Sequence, residues 1–242
     1  MTFYLIGLGL NEESISLEAK KQLGKCEKIF LEIYTSDFPY KVKKLEKILG
    51  VKIRKLDRED VESEKFLIEA KKKDIALLVY GDPFSATTHS QLILFCKKNN
   101  IKYKIFHNSS IINSIGETGL SIYKFGKICS IPKWKDNYKP TSFIKYIKEN
   151  KEIKAHSLIL IDIGLELKET IHQLEESAKK ENFEIPKKIV LVSCLGTKKQ
   201  KIFYGEIEKI RNKKINKPFC LIIPSEMHYL EEEMLVGLSS LN

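Results

Sequence analysis

Arginine is nearly missing from this chain: only Arg54, Arg58 and Arg211 occur among 242 residues. Guanidinium groups are the usual bidentate partners of phosphate, and no segment here interleaves them with aromatic rings. The composition therefore argues against a direct nucleic-acid role. The basic excess is still large, 42 Lys and Arg against 32 Asp and Glu, for a formal charge of +10. Carried by lysine, it reads as a solvated surface, with an acidic macromolecular partner as the second reading. Cysteine is also sparse. Cys26, Cys96, Cys129, Cys194 and Cys220 are odd in number and never spaced C-x-x-C. That excludes a disulfide framework and the common metal spacings, and it fits reduced thiols in the cytoplasm. No apolar run approaches the ~18 residues of a membrane span, and the N-terminus opens as a strand with no basic leader.

Two glycine-bearing loops stand out against this background. The first follows Phe3-Tyr4-Leu5-Ile6, where Gly7-Leu8-Gly9 leads toward a helical pattern around Ser16 to Leu23. The glycines allow a tight turn near a helix start. A dinucleotide fingerprint would need a third glycine where Glu12 stands. Glu12 and Glu13 would repel a pyrophosphate, so a cationic or zwitterionic nucleoside suits the loop better than NAD. The second loop, Gly81-Asp82-Pro83-Phe84-Ser85-Ala86-Thr87-Thr88-His89, follows the apolar run Ile75 to Tyr80. In an open α/β sheet, ligands bind outside the carboxyl ends of strands, which is where both loops are expected.

Strand and helix patterns alternate through the first half, with strands expected at 3–6, 28–34, 51–55, 75–80 and 102–106. Helices are expected between them at 15–23, 40–49, 61–72 and 88–98, which together predicts a mostly parallel sheet with helices on its faces. In the second half, strands are expected at 127–131, 157–163, 188–194, 200–204 and 219–223, and helices at 142–150, 167–181 and 228–238. Residues 196–199 read as a hairpin connection, so this half is expected to be mixed and partly antiparallel. The clustered glycines at 116, 119 and 126 suit a hinge, which divides the chain into lobes at 1–123 and 124–242.

Several segments, in order along nearly the whole chain, carry a resemblance. They are Tyr4 to Leu10, Glu32-Ile33-Tyr34-Thr35-Ser36, the Gly81 to His89 loop, His107-Asn108-Ser109-Ser110-Ile111 and Gly119 to Gly126. Leu160 to Ile163, Gln200 to Gly205, Leu221 to Pro224, His228 and Glu231 to Leu235 complete the set. Together they resemble the diphthine synthase family, the diphthamide-pathway branch of the tetrapyrrole-methylase-like methyltransferases. The resemblance implies a two-lobed class III α/β fold, with S-adenosyl-L-methionine bound in the cleft between lobes and S-adenosylhomocysteine as product. It also implies a homodimer acting on translation elongation factor 2, at the amine of a 3-amino-3-carboxypropyl group attached to a histidine.

Carried over residue by residue, the resemblance makes Leu10, Asp82, Ser85, Ser110 and Ile111 cofactor contacts in the first lobe. In the second it makes Ile161, Leu195 and Phe219 contacts. Phe219 stands where relatives often have histidine, and the spacing from Leu195 is one residue shorter than the family's. After Asp162 the chain runs through Gly164-Leu165-Glu166-Leu167 almost directly into helix, shorter than the family pattern. No catalytic base follows from the sequence: His228, His89 and Asp162 qualify by residue type alone. The rival readings are another tetrapyrrole methylase acting on a corrin precursor or ribosomal RNA, an RNA-binding protein, and an NAD-linked oxidoreductase.

Overall fold

A computed structural model describes residues 1–240. The backbone forms two units, Met1–Asn113 and Ser114 to the C-terminus. In the first unit, strands β1 (Thr2–Gly7), β2 (Lys28–Glu32), β3 (Arg54–Leu56), β4 (Ile75–Val79) and β5 (Lys102–Phe106) form one sheet in the order β3-β2-β4-β1-β5. Every neighbouring pair is parallel, with Phe3 opposite Ile75 and Thr2 opposite Lys102.

The two-residue period of each strand sorts its side chains between two cores. Phe3, Leu5, Phe30, Ile75, Leu77 and Val79 face α3 (Arg58–Glu62), the 3-10 turn Lys65–Lys71 and α4 (Ser90–Lys98). Tyr4, Ile6, Ile29, Leu31, Ala76 and Leu78 face α1 (Leu17–Leu23) and α2 (Val42–Leu49) on the other side. With both faces covered, the central strands are apolar at almost every position, as parallel sheets require. The helix expected over 61–72 is broken. Asp57 and Asp60 close a capping box that starts α3 early, and Glu64 at φ 58° forces the chain into the 3-10 turn.

The second unit holds β6 (Cys129–Ile131), β7 (Ser157–Ile161), β8 (Lys188–Ser193), β9 (Lys201–Glu206) and β10 (Phe219–Ile223) in the order β6-β7-β10-β8-β9. β6 and β7 are parallel, whereas β10 runs antiparallel to both β7 and β8. The expected β8–β9 pair is an antiparallel hairpin. Ile144 and Ile147 of α6 (Phe143–Glu152) and Ile171 and Leu174 of α7 (Leu167–Lys180) pack on Ile159, Leu191 and Leu221. A short helix, α8 (Ile207–Arg211), also packs there through Ile210; its five residues are too few for a sequence period to reveal it. The division falls at 113/114, ahead of the 123/124 position expected from the glycines. Residues 114–126 go with the second unit because they are bonded to its last helix, α9 (Tyr229–Ser240).

The thiols are all free; Cys96, Cys129, Cys194 and Cys220 are buried and Cys26 is half-buried. Burial pushes Cys129 and Cys220 up to about 12, so neither is a nucleophile at neutral pH.

Leu77 is fully enclosed between strands, whereas Leu94 on α4 is 56% exposed. Leu77→Ala is expected to cost about 2–5 kcal/mol and Leu94→Ala within about 0.5 kcal/mol, compared by urea unfolding midpoints at constant slope.

Candidate functional site

Adjacent strands β4 and β1 send their chains to opposite faces of the first sheet, β4 toward α4 and β1 toward α1. Such divergence opens a crevice at the carboxyl edge of a parallel sheet. Here its floor is tied by backbone. Leu8 N–H donates to Val79 C=O (2.8 Å), and Gly9 and Gly81 exchange both their N–H···O=C bonds (3.1 and 3.0 Å). Gly9 has no substitute: at φ 72°, a Cβ there would stand 2.5 Å from Ser14 Cβ and 2.9 Å from Asn108 Oδ1. Leu10 follows, buried, its carbonyl accepting from the Tyr80 hydroxyl at 3.0 Å. Glu12 is ion-paired with Lys44, so part of the negative charge expected beside this loop is balanced.

Asp82 builds the other side of the crevice. Its Oδ1 accepts from Phe84 N–H (2.9 Å), and its Oδ2 accepts from Asn108 N–H (3.1 Å) and lies 2.8 Å from His107 Nδ1. The carboxylate thus joins the loop after β4 to the loop after β5. Asn108 extends the junction, its Nδ2 donating to Gly7 C=O and Ser14 C=O, both at 3.0 Å. The sequence reading placed Asn108 within a motif but gave it no role. An amide was the available clue, because it can donate and accept at once, here joining the end of β1 and its loop to the loop after β5.

Ser85 is half-buried in the turn, its N–H donating to Asp82 C=O. Ser110 is buried against Gly81, and both its N–H and Oγ point to Asn113 Oδ1. Ile111 is half-buried at the start of α5 (Ile111–Ser114). Leu10, Asp82, Ser85, Ser110 and Ile111 therefore all lie at the carboxyl edge of β1, β4 and β5. His89 lies inside the fold, its Nδ1 3.0 Å from Pro83 C=O. Burial pushes its imidazole below the usual value, with the Glu32 carboxylate opposing. A ring so enclosed is a scaffold for the loop.

In the second unit, Ile161 ends β7, Leu195 lies just past β8, and Phe219 begins β10. Because β10 is antiparallel to its neighbours, a strand start and two strand ends meet at one edge of the sheet. Phe219 is paired with Ser193 in register, and Cys220 with Leu160. Leu195 and Phe219 are buried, and Ile161 is half-buried. Cys194, at φ 49°, donates its N–H to Pro218 C=O (2.8 Å), fixing the turn beside the approach to β10. Asp162 accepts from Lys133 N–H and Ile163 N–H, both at 3.0 Å. It therefore organises the ends of β6 and β7.

The Gly119 to Gly126 motif is a joint. Glu231 of α9 accepts from Ser121 N–H (2.9 Å), His228 N–H (2.8 Å) and the Lys124 ammonium, and lies 3.4 Å from His156 Nε2. Burial alone would raise this carboxyl, but the bonds from Lys124, Ser121 and His228 more than offset it and hold it well below the usual carboxylate range. Ser225 N–H donates to His156 Nδ1 (2.9 Å), and burial lowers that imidazole's pKa. The Lys124 ammonium is committed to this joint. His228 is occupied at the start of α9.

The family described as tetrapyrrole (corrin/porphyrin) methylases matches residues 2–211. The chain is 38% identical to the diphthine synthase of Methanocaldococcus jannaschii, over 96% of each chain. It is 35% identical to the diphthine methyl ester synthase of Schizosaccharomyces pombe, over 96% of this chain and 93% of that one. A crystal structure from Entamoeba histolytica, provisionally named a diphthine synthase, superposes with a TM-score of 0.89 at 33% identity, over 98% of both chains.

Glu231 has a depressed pKa in the fold. Its stabilisation is complete above the ordinary glutamate value near pH ~4.3 and is lost as the pH falls through it toward the folded value. Glu231→Gln is expected to cost about 2 kcal/mol at neutral pH. It should also flatten the loss of stability between about pH 5 and pH 3, read from urea midpoints across that range.

Proposed function

Because this chain belongs to the tetrapyrrole (corrin/porphyrin) methylases, we propose that it is an S-adenosyl-L-methionine-dependent methyltransferase of diphthamide biosynthesis. It methylates, in successive steps, the amine of the 3-amino-3-carboxypropyl histidine on translation elongation factor 2. Relatives named for diphthine synthesis and matching almost end to end favour this over a corrin precursor or ribosomal RNA as substrate.

The observation that carries the reading is the bridged edge of the first sheet. There Gly9 and Gly81 lock together and Asp82 draws the β5 loop alongside. The residue types fit the donor. In the first unit, Leu10 and Ile111 offer aliphatic surface, Ser85 a hydroxyl and Asp82 a negative charge suited to a cation. In the second, Ile161, Leu195 and Phe219 offer an apolar edge on which a purine can stack. When bound, the donor supplies an activated methyl on sulfur, so the protein's task is to hold the reacting atoms in line, worth roughly 7–11 kcal/mol. Leu10 and Asp82 are held by bonds within the fold, so little reorganisation accompanies binding.

The exposed apolar side chains of Tyr229, Leu230, Met234 and Val236 on α9 support a homodimer. The free cysteines support a cytoplasmic location. Among the described residues, no helix is long and apolar enough to cross a membrane.

Titration calorimetry with S-adenosylhomocysteine is expected to give saturable binding, weakened at least about tenfold by Asp82→Ala. Mass spectrometry of elongation factor 2 carrying the unmethylated side chain should show stepwise methyl gains. Folded protein that gives neither heat nor product overturns the reading.

A further inference from the structure

The edge of the first sheet carries a histidine whose ring is half committed and half free. His107 opens the loop after β5 and is 68% exposed, while the Asp82 carboxylate it meets is 12% exposed. The other partners of that carboxylate, Phe84 and Asn108, are backbone N–H donors. An ionised carboxylate only accepts, so in the neutral imidazole the proton must sit on Nδ1, 2.8 Å from Asp82 Oδ2. Nε2 is then left with a bare lone pair on an exposed ring. The Phe84 ring, 6.0 Å away, flanks it. A base held by a carboxylate in one tautomer is the arrangement that proton abstraction needs.

We propose that His107, oriented by Asp82, is the general base that removes a proton from the acceptor ammonium before each methyl transfer. The inference rests on the function proposed above. An ammonium nitrogen has no lone pair and cannot attack carbon. His107 Nε2 takes one N–H proton and becomes imidazolium, and the N–H electron pair stays on nitrogen. That pair forms the new N–C bond as the C–S bond breaks, its electrons remaining on sulfur, which becomes a neutral thioether. The exposed imidazolium then returns its proton to water, ready for the next step.

The other candidates are less suited. His89 and His156 are enclosed, and Asp162 directs its oxygens at backbone N–H groups.

The test compares wild type, His107→Gln and His107→Ala. Turnover in the variants should fall roughly 100-fold, with S-adenosylhomocysteine affinity within about twofold of wild type. The deficit of the variants should narrow as the pH is raised and the acceptor ammonium loses its proton unaided, and added imidazole should restore part of the activity of His107→Ala. Independently of turnover, nitrogen NMR of the free protein should find His107 protonated at Nδ1, and Asp82→Asn should abolish that preference. Wild-type turnover in His107→Gln across the pH range, or an Nε2-protonated ring, overturns the inference. Cofactor affinity that falls in step with turnover does the same, making His107 a binding residue. A wild-type protein that cannot methylate elongation factor 2 at all would instead refute the function on which the inference rests.

Discussion

Two hydrogen bonds between Gly9 and Gly81 decide where chemistry can occur in the first unit. They join loops that leave neighbouring strands for opposite faces of the sheet; Gly9 leaves no room for a side chain there, and Gly81 supplies a backbone at φ 76°. Asp82, Asn108 and Ser110 then build outward from the joined backbone. The edge is rigid for a plain reason: its polar groups are bonded to one another before any ligand arrives.

The fold was largely legible because its signals are local. Alternating strand and helix periods between residues 3 and 106 encode the parallel sheet, and the short connection before Gln200 encodes the β8–β9 hairpin. What escaped were features set by a few atoms. The break at Glu64 depends on a left-handed residue and an upstream capping box, which leave no mark on hydrophobic periodicity. The grouping of residues 114–126 with the second unit involves bonds to partners far along the chain, among them Glu231, 110 positions beyond Ser121, and Gln200.

The candidate site was legible in kind more than in wiring. Glycine-bearing loops at strand ends point to a ligand edge, and resemblance supplied the remaining positions. The sequence could not tell that the Asp82 carboxylate is spent on Phe84, Asn108 and His107, because those bonds cross from one loop to another. It also suggested His89 as a base on residue type, whereas burial makes that ring a support. Exposure and partner geometry decide what a histidine does, and neither is local in sequence.

The anchoring of residues 121–126 on Glu231 has a consequence for biogenesis. The first sheet is complete by Phe106 and can form while the rest of the chain is still being synthesised. The joint at Lys124 and His156 must wait for α9, whose Glu231 is made 107 residues after Lys124. Before α9 arrives, Lys124 and His156 lack the carboxylate that joins them in the folded chain. Loss of α9 would therefore injure a region more than a hundred residues upstream.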